Sequence, residues 1–583
     1  VIDIANTTTT LATGNITADT YFRAIVFNGY CDVPTAPVGI TIKKANYISG
    51  SWDITPDPRT TAIIWTTFSS TADVSACNFI LKSGVAAVFN INHTLTVQNE
   101  IDTSAAGASL TFENNSSLYQ VNDIANPNSG NIIYKRNSTQ MKVYDFTYWS
   151  SPVVNQNLYN FSPNTLFDKY FFWDTLPSFY NWRVILNGTA SMQRGQGYII
   201  RSPLQLGNAA DVFNGIFTGA PNNGSFTKTI EVSNAGVNNL NLLGNPYPSA
   251  MNADVFFDVN TTAVYNSLYL WTHNTAVGTF VNFQYSSNDF ATYNYAGGVG
   301  TLPATNLGVN NGLPNGKIAA GQAFFVRAKN TGSVVFNNTM RVSGNNNQFF
   351  RSHNSINTIE KNRLWLEISN SNGAFSQLLF GYIQNATDAK DDGFDTNLFN
   401  ETPTVSFYSI LNNEKMTIKA DALPFDENKT NQLGFISKID SDYEIKLAIT
   451  DGLFDNQNVY LQDNLLNVVH NLKQSNYNFH SAIGTFNNRF LLRFSNNNLS
   501  NNQNIVNQSE IQVFKQNNDI LVQSSNNKIA SILIFDLNGR LLHEKENIDN
   551  DRYIINNLLL NNQMILIKTI TADGLTITNK IVF

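Results

Sequence analysis

The sequence predicts an all-β protein built from several domains. Short runs in which apolar and polar residues alternate recur along all 583 residues, with Asn and Gly at the turns between them. Between residues 130 and 350, helical periodicity is absent except around residues 252–257. Charged residues make up only 14% of the chain and aromatic residues reach 12%, whereas about 25% of a typical globular protein is charged. At roughly 150 residues per domain, a chain of this length divides into about four modules.

The charge balance argues against nucleic acid as a partner. The net charge is -7, the sequence pI is near 5.4, and Lys and Arg do not cluster. Neutralising a run of phosphates requires such a cluster. No run in the sequence approaches the ~20 apolar residues of a membrane-spanning helix, and no signal-peptide pattern follows Val1. We therefore expect that the chain begins after processing or is part of a longer protein.

Residues 1–45 are predicted to be the end of a sandwich repeat. The alternation over Ile16–Phe27 is followed by an Asn28-Gly29 turn, by Cys31 and by an apolar strand that begins at Val38. This pattern resembles the end of the immunoglobulin-like repeats found in tandem in Bacteroidota surface proteins. Because two isolated strands cannot bury a core, we expect either more repeats upstream or a neighbouring domain that covers these strands.

The chain has only two cysteines, Cys31 and Cys77. Two cysteines at this separation make neither a disulfide framework nor a metal site. One expectation is that one cysteine pairs upstream of the sequence while the other is a small buried apolar residue. A disulfide between Cys31 and Cys77 is the alternative.

Residues 46–128 are predicted to form a short β-solenoid. Short runs place small or apolar residues inward and Ser, Thr or Asn outward, with Gly or Asn at the corners. In a solenoid no coil is stable alone, because the stacking of coils buries the shared core. An irregular meander is the alternative. The runs are Asp73–Leu81, Gly84–Phe89, His93–Val97, Ala108–Phe112 and Ser116–Tyr119.

Three further segments precede the C-terminal region. Residues 129–350 are rich in aromatic residues and turn signals, which favours a jelly-roll-like β-sandwich. Residues 351–496 are predicted to form a second β-sandwich. Residues 497–510 are polar, uncharged and rich in Asn, so they cannot offset the entropy of ordering by burial and are predicted to be a linker.

Residues 511–583 are predicted to be a small C-terminal β-sandwich. Short β segments flank the run Asp536-Leu-Asn-Gly-Arg540, and an Asn-Gly pair between apolar runs is a strong hairpin signal. An Asp573-Gly574 turn and a terminal Lys580-Ile-Val-Phe follow. This order of parts resembles the type A C-terminal sorting domain of the Bacteroidota type IX secretion system. The positions that match its motif are Asp536, Gly539, Arg540, Asp573, Gly574 and Lys580.

The resemblance implies an export address rather than catalysis. Its partners would be the outer-membrane translocon, a shuttle protein and a sortase, and the protein would reach the cell surface or the medium through the periplasm and outer membrane. We expect a secreted surface protein with an adhesive or gliding-associated role and without catalytic residues. The alternative is a secreted protein that binds or hydrolyses polysaccharide, with surface glycans as partners. At Gly539 and Gly574, a structural role in a tight turn is favoured over direct contact.

One acidic loop is a candidate calcium site. Asp388, Asp391, Asp392 and Asp395 surround a glycine, and Ca²⁺ takes six to eight oxygen ligands from flexible loops. The loop is not an EF-hand, because Lys390 occupies a would-be ligand position. An exposed acidic turn is the alternative, and no other cofactor is expected.

The tryptophans of the aromatic-rich module have two interpretations. Trp149, Trp173, Trp182 and Trp271 would form a sugar-stacking platform if their rings were exposed, because aromatic faces supply apolar contact. In a β-sandwich that is poor in Leu, aromatic side chains more often form the core. The core is therefore the favoured interpretation for each tryptophan taken separately.

Overall fold

The chain is all-β, as the sequence predicts. The computed structural model describes residues 4, 10, 19–27, 32–176, 178–207, 209–233, 239–274, 285, 289–301, 312–346, 359–401, 404–496, 511–516, 519–524, 528–536, 539–556, 563–572 and 576–582. Within these residues it contains 49 strands and two α-helices. Close contacts divide the chain into two compact units, Val1–Asn496 and Asn497–Phe583. None of the described helices is long and apolar enough to cross a membrane.

The first four strands form two small antiparallel pairs, β1 with β4 and β2 with β3. Most of their described apolar side chains are exposed, including Tyr21, Val26 and Val38. These pairs therefore bury no core of their own. The strands are β1 (Thr20–Phe22), β2 (Ile25–Phe27), β3 (Asp32–Pro34) and β4 (Val38–Ile40).

The next strands coil into stacked parallel sheets, the geometry of a β-solenoid. They are β5 (Lys43–Ile48), β6 (Ser51–Trp52), β7 (Thr60–Ile64), β8 (Phe68–Ser69), β9 (Val74–Ala76), β10 (Asn78–Leu81), β11 (Ala86–Phe89), β12 (Thr94–Val97), β13 (Ile101–Asp102), β14 (Ser109–Phe112), β15 (Ser117–Gln120) and β16 (Ile132–Met141). Parallel pairing joins β5, β7, β10 and β13 in one sheet, β8, β11, β14 and β16 in a second, and β9, β12 and β15 in a third.

An aromatic ladder runs through the solenoid. Phe89 lies opposite Phe112, and Phe112 lies opposite Tyr134, in successive coils. The rings of Phe89 and Phe112 are stacked with centroids 5.3 Å apart. Because equivalent positions of successive coils lie one above the other, residues of similar shape at those positions bury one another.

The following strands build the aromatic-rich part of the same unit. They are β17 (Phe146–Trp149), β18 (Tyr170–Asp174), β19 (Asn181–Val184), β20 (Tyr198–Arg201), β21 (Asp211–Gly219), β22 (Phe226–Ile230), β23 (Leu240–Gly244), β24 (Ala250–Asn252), β25 (Val264–Trp271), β26 (Phe290–Asn294), β27 (Gly297–Val299), β28 (Lys317–Ile318), β29 (Ala323–Ala328), β30 (Gly332–Phe336) and β31 (Arg341–Val342), with helices α1 (Leu158–Phe161) and α2 (Ala253–Asn260). Helix α2 accounts for the helical periodicity near residue 252, and the Asn252 side chain caps it by accepting from the Asp254 N–H.

The core of the solenoid continues into this part. Strand β16 pairs in parallel with β14 and antiparallel with β21. One sheet therefore contains strands from both sides of residue 128. A single buried cluster contains residues from Ala62 to Ala320. The predicted boundary between residues 128 and 129 therefore does not separate two cores, while the finer division of residues 1–496 into modules stays a prediction.

A buried arginine joins the solenoid to the strands that follow it. Arg341 donates to the carbonyl of Leu118 at 2.6 Å, to Oδ1 of Asn223 at 2.7 Å and to Oγ of Ser249 at 3.1 Å. Its guanidinium also lies over the ring of Tyr247. Burial lowers the pKa of Arg341 to about 10. A buried cation of this kind is tolerated because neighbouring acceptors satisfy its N–H groups.

Residues 361–493 contribute one eleven-stranded sheet around a second large core. In this sheet β33 and β36 pair in parallel, while the other pairings are antiparallel. The strands are β32 (Lys361–Ser369), β33 (Phe375–Ile383), β34 (Thr396–Asn397), β35 (Val405–Leu411), β36 (Glu414–Ala422), β37 (Asn431–Ser437), β38 (Ser441–Asp451), β39 (Tyr460–Asp463), β40 (Val468–Asn471), β41 (Tyr477–Ser481) and β42 (Gly484–Arg493).

The C-terminal unit is a small antiparallel fold with its own aliphatic core. One sheet has the order β43-β44-β47 and the other β46-β45-β48-β49. Its core is built mainly from isoleucines such as Ile520, Ile534 and Ile567. The strands are β43 (Ile511–Gln516), β44 (Asp519–Ser524), β45 (Ile529–Asp536), β46 (Leu541–Asn550), β47 (Arg552–Ile555), β48 (Met564–Thr571) and β49 (Thr576–Val582).

Candidate functional site

An aromatic cleft opens between two sheets of the first unit. One sheet has the order β17-β20-β18-β19, and the other has the order β23-β29-β25-β26-β27. The cleft has a volume of about 510 Å³, within the range of about 300–1,000 Å³ that is typical of small-molecule sites. Its lining residues are Phe146, Tyr148, Phe171, Trp173, Asn181, Trp182, Ile199, Leu240, Trp271, Tyr285, Phe290, Phe325, Phe399 and Asn400.

Strand alternation decides which aromatic side chains enter the cleft. Successive side chains of a strand point to opposite faces of the sheet. In β17, Phe146 and Tyr148 therefore face the cleft, whereas Trp149 faces the solenoid core, is 1% exposed and packs on Phe161. Of the four tryptophans considered above, Trp149 belongs to the core and the other three line the cleft.

Two of the cleft tryptophans face each other across neighbouring strands. Trp173 in β18 is the direct partner of Trp182 in β19, and their rings meet edge to face with centroids 5.1 Å apart. The indole N–H of Trp173 donates to the carbonyl of Leu240 at 3.0 Å. The indole N–H of Trp182 has no acceptor within the described part of the chain. It therefore remains available to a ligand.

Tyr148 places a polar hydroxyl group in the aromatic wall of the cleft. Its side chain is 5% exposed, and burial raises its pKa well above the ordinary value for tyrosine. Its ring stacks on Trp271 and meets Trp182 edge to face. Among the described residues, nothing accepts from or donates to its hydroxyl. The hydroxyl oxygen is not a buried unsatisfied atom, so it opens onto the cleft, where water or a ligand can hydrogen-bond to it.

The described lining of the cleft carries no charge. All fourteen lining side chains are neutral at neutral pH, and the polar ones besides tyrosine and tryptophan are the amides of Asn181 and Asn400. A carboxylate, phosphate or ammonium group would find no counter-charge among them. The site therefore suits a neutral ligand that presents apolar faces and a few hydroxyl groups.

Two of the four predicted calcium ligands are paired with lysines. Asp388 accepts from Nζ of Lys429 at 2.6 Å, and this hydrogen bond lowers its pKa. Asp392 pairs with Lys329 and accepts from the backbone N–H of Asn266. Lys429 and Lys329, which lie in loops outside the acidic segment, therefore already compensate these two carboxylates.

The other two acidic residues stabilise the loop itself. Asp391 accepts from the Thr387 hydroxyl at 3.0 Å, and Asp395 accepts from the backbone N–H groups of Asp391 and Ala420. Asp391, Asp392 and Asp395 line a second, polar cleft of about 540 Å³. Within the described ranges, no three His, Cys, Asp or Glu side chains form a group that could hold a metal ion. The calcium prediction gains no support from this arrangement.

Three residues of the predicted sorting motif form one hairpin turn. The Asp536 carboxylate accepts from the backbone N–H of Arg540 at 2.9 Å and from its guanidinium at 3.2 Å. Gly539 adopts a φ of 81°, a conformation that favours glycine. The side chain of Arg540 is 75% exposed, and Lys580 in β49 is exposed as well. Asp573 and Gly574 lie outside the described residues.

The predicted disulfide also involves a residue that the structure does not describe, because Cys31 lies outside the described ranges. Cys77 has no disulfide partner among the described residues, and its Sγ accepts from Nδ2 of Asn99 at 3.2 Å. Partial burial raises the pKa of this thiol. The pairing of the two cysteines stays a prediction.

Sequence reasoning missed several residues of the cleft. The spacing of Phe146 and Tyr148 on one face of β17 was an available signal, but it did not distinguish a cleft from a core. Phe399 and Asn400 come from the segment that was assigned to the second sandwich. The ring of Phe399 lies 4.4 Å from those of Phe290 and Tyr269. Nothing local in the sequence indicates that contact.

Comparisons with known proteins identify two families of unknown function. A domain of unknown function, DUF8693, matches residues 47–494, and another, DUF8694, matches residues 499–583. No curated protein matches the chain. Among solved structures, Tp47, the 47-kilodalton lipoprotein of Treponema pallidum, is similar at 7% identity over 57% of this chain and 90% of its own, with a TM-score of 0.12. That score is too low to support any argument about fold or function. Because the first family model covers most of the sequence, the chain belongs to the DUF8693 family.

Proposed function

We propose that this chain is a cell-surface protein that the type IX secretion system exports through its C-terminal unit. The first unit is then the exported cargo, with an adhesive role at the surface. The proposal is supported by the hairpin of Asp536, Gly539 and Arg540, which carries the motif on a separately folded unit. An export machine that reads a folded tag needs such a self-contained unit with accessible charges.

The chemistry of the hairpin suggests how it would be recognised. Asp536 stabilises the turn, because both of its carboxylate oxygens accept hydrogen bonds from Arg540. The Arg540 guanidinium remains mostly exposed, as does Lys580 on the last strand. The two cations are therefore the groups a receptor would contact, whereas Asp536 and Gly539 shape the turn. The resemblance implies a translocon, a shuttle protein and a sortase as the partners.

Deletion of residues 511–583 tests the export proposal. The intact chain and the truncated chain are produced behind the same signal peptide in a bacterium that has a type IX system. We expect the intact chain at the cell surface or in the medium and the truncated chain in the periplasm, as measured by surface protease accessibility and fractionation. Surface display of the truncated chain would refute the proposal.

A charge reversal separates recognition from folding. Arg540→Glu should reduce export while the C-terminal unit stays folded, because the Arg540 side chain is largely in solvent. Arg552→Glu, at another exposed position of the same unit, is the matched control and should export normally. If the two variants are exported in equal amounts, the export machinery does not recognise Arg540.

The aromatic cleft favours polysaccharide binding as a second candidate function. Its tryptophan and tyrosine rings lie on a neutral surface with amides beside them. None of the described lining residues is a carboxylic acid, whereas glycoside hydrolysis normally uses two. Binding is therefore favoured over hydrolysis at this cleft. Incubation with neutral polysaccharides, followed by a reducing-end assay, distinguishes the two, since release of reducing ends would establish hydrolysis.

A further inference from the structure

We propose that the aromatic cleft binds a neutral oligosaccharide segment and that the Tyr148 hydroxyl hydrogen-bonds one of its hydroxyl groups. This proposal rests on the polysaccharide-binding function proposed above and specifies its ligand. It does not depend on how the protein is exported. The cleft lies wholly within the first compact unit.

The aromatic walls suit the faces of sugar rings. The C–H groups of a pyranose ring form an apolar face, which packs on an aromatic ring, while its hydroxyl groups point outward in the ring plane. Trp173 and Trp182 meet at nearly right angles, with planes 81° apart, and Trp182 meets Tyr148 at 72°. Walls at right angles offer a ring face to one side of a sugar and a ring edge to another.

The unpartnered polar groups favour a ligand with hydroxyl groups over a hydrocarbon. A hydrocarbon chain would leave the Tyr148 hydroxyl, at 5% exposure of its side chain, in an apolar contact. Such a chain would exclude water from the hydroxyl without supplying a hydrogen bond in its place, which disfavours its binding. A sugar hydroxyl would both donate to and accept from this group, and the Trp182 indole N–H would find an acceptor in the same ligand.

The absence of charge on the described lining residues disfavours other ligand classes. Fatty acids, phospholipids and phosphorylated ligands carry a charge that the cleft does not balance. Asn181 and Asn400 are both exposed, where their amides can meet hydroxyl groups of a chain that extends out of the cleft. This combination matches an oligosaccharide that enters with one segment and continues into solvent.

The first test measures binding of cellohexaose, xylohexaose and mannohexaose to the full chain by isothermal titration calorimetry. We expect at least one to bind and to change the intrinsic tryptophan fluorescence. Trp182→Ala should weaken that binding by tenfold or more. If none of the three binds, the proposal is wrong.

The second test uses paired tyrosine variants. Tyr148→Phe removes a hydroxyl that has no hydrogen-bonding partner among the described residues, so we expect an unchanged melting temperature and a three- to tenfold weaker association with the oligosaccharide. The matched control is Tyr477→Phe, whose hydroxyl donates to Asp463 at 2.9 Å; it should lower the melting temperature and leave binding unchanged. Equal affinity of Tyr148→Phe and the unmodified chain would overturn the proposed role.

A competition experiment addresses the apolar alternatives. Nile red, a neutral apolar dye, and a short uncharged peptide rich in Phe are tested against the same variants. One of these compounds could bind the unmodified chain, fail to bind Trp182→Ala, and resist displacement by the oligosaccharides. In that case the cleft binds an apolar ligand or a peptide, and the proposal is wrong. None of these results bears on whether the intact chain is exported, so the binding proposal and the export proposal are tested independently.

Discussion

Tyr148 and Trp271 stack across the two sheets of the aromatic cleft, with ring centroids 5.6 Å apart and ring planes 11° apart. Trp271 also donates its indole N–H to the carbonyl of Phe146 at 2.9 Å. The two interactions join β17 to β25 beside the cleft, so the wall that carries the Tyr148 hydroxyl is held in place before any ligand arrives. Preorganisation of this kind lowers the entropic cost of binding.

Arg341 is expected to stabilise the joint between the solenoid and the strands after it. Arg341→Met keeps the apolar length of the side chain but removes hydrogen bonds to Leu118, Asn223 and Ser249. At about 1 kcal/mol for each bond, we expect the free energy of unfolding to fall by about 3 kcal/mol. Urea unfolding followed by tryptophan fluorescence measures this change.

The control for that variant is Arg59→Met. The Arg59 side chain is 85% exposed and pairs with Asp57 at the surface, so its replacement should leave the free energy of unfolding nearly unchanged. If both variants unfold at the same urea concentration, the buried arginine has no special role in the joint.

Removing a ring from the aromatic ladder should leave a cavity in the solenoid core and lower the free energy of unfolding. Phe89 is fully buried between Phe68 and Phe112, with centroids 5.6 Å and 5.3 Å away. Phe89→Ala should therefore cost about 3–5 kcal/mol. Ile91→Ala, at a position that is 57% exposed, should change stability by no more than about 0.5 kcal/mol. A loss below 1 kcal/mol for Phe89→Ala would mean that the coils do not share this core.

Asp395 predicts a pH dependence of stability. Burial raises its pKa from 3.8 to about 6. Because the folded state holds this proton more tightly than the unfolded chain does, the group stabilises the fold fully below its unfolded pKa, and the contribution is lost as the pH rises through 6. The shift of roughly 2 units corresponds to about 3 kcal/mol.

The measurement compares the unmodified chain with Asp395→Asn, which does not titrate at this position. We expect the stability of the unmodified chain, relative to the variant, to fall by most of that amount between pH 4 and pH 7. The constant effect of altering the two backbone hydrogen bonds cancels in this comparison. A difference that does not change with pH would contradict the raised pKa.

Calcium is expected to leave the stability of the chain unchanged. Asp388 and Asp392 are already paired with Lys429 and Lys329, and a bound Ca²⁺ would have to displace these lysines. Differential scanning calorimetry in excess calcium chloride and in EDTA should give the same melting temperature. A higher melting temperature with calcium would show that the acidic loop rearranges to bind it, because a ligand that binds only the folded state stabilises it.

The hairpin at residues 536–540 is an example of structure that local pattern specifies. An Asp, a glycine that tolerates positive φ and an apolar run on each side favour the turn, and the hydrogen bonds that join Asp536 to Gly539 and Arg540 lie within five residues of chain. The strands of the solenoid follow in the same way from alternation. Both could be predicted because the forces involved act over short separations along the chain.

The cleft could not be predicted in this way. Alternation places Tyr148 and Trp149 on opposite faces of β17, but it does not say which face meets the solenoid core. Phe399 reaches the cleft from a segment more distant in sequence, and the lysines that neutralise the acidic loop also come from other segments of the chain. Sequence spacing carries no information about these contacts.

The amino-acid pattern thus specifies the strand content, the tight turns, the low charge and the abundance of aromatic rings, because each depends on neighbouring residues. The assignment of Trp149 to the core and of Trp173, Trp182 and Trp271 to an open cleft depends on how the sheets pack. Packing is set by the burial of apolar area summed over the whole unit. Aromatic residues that look alike in the sequence therefore end in different environments.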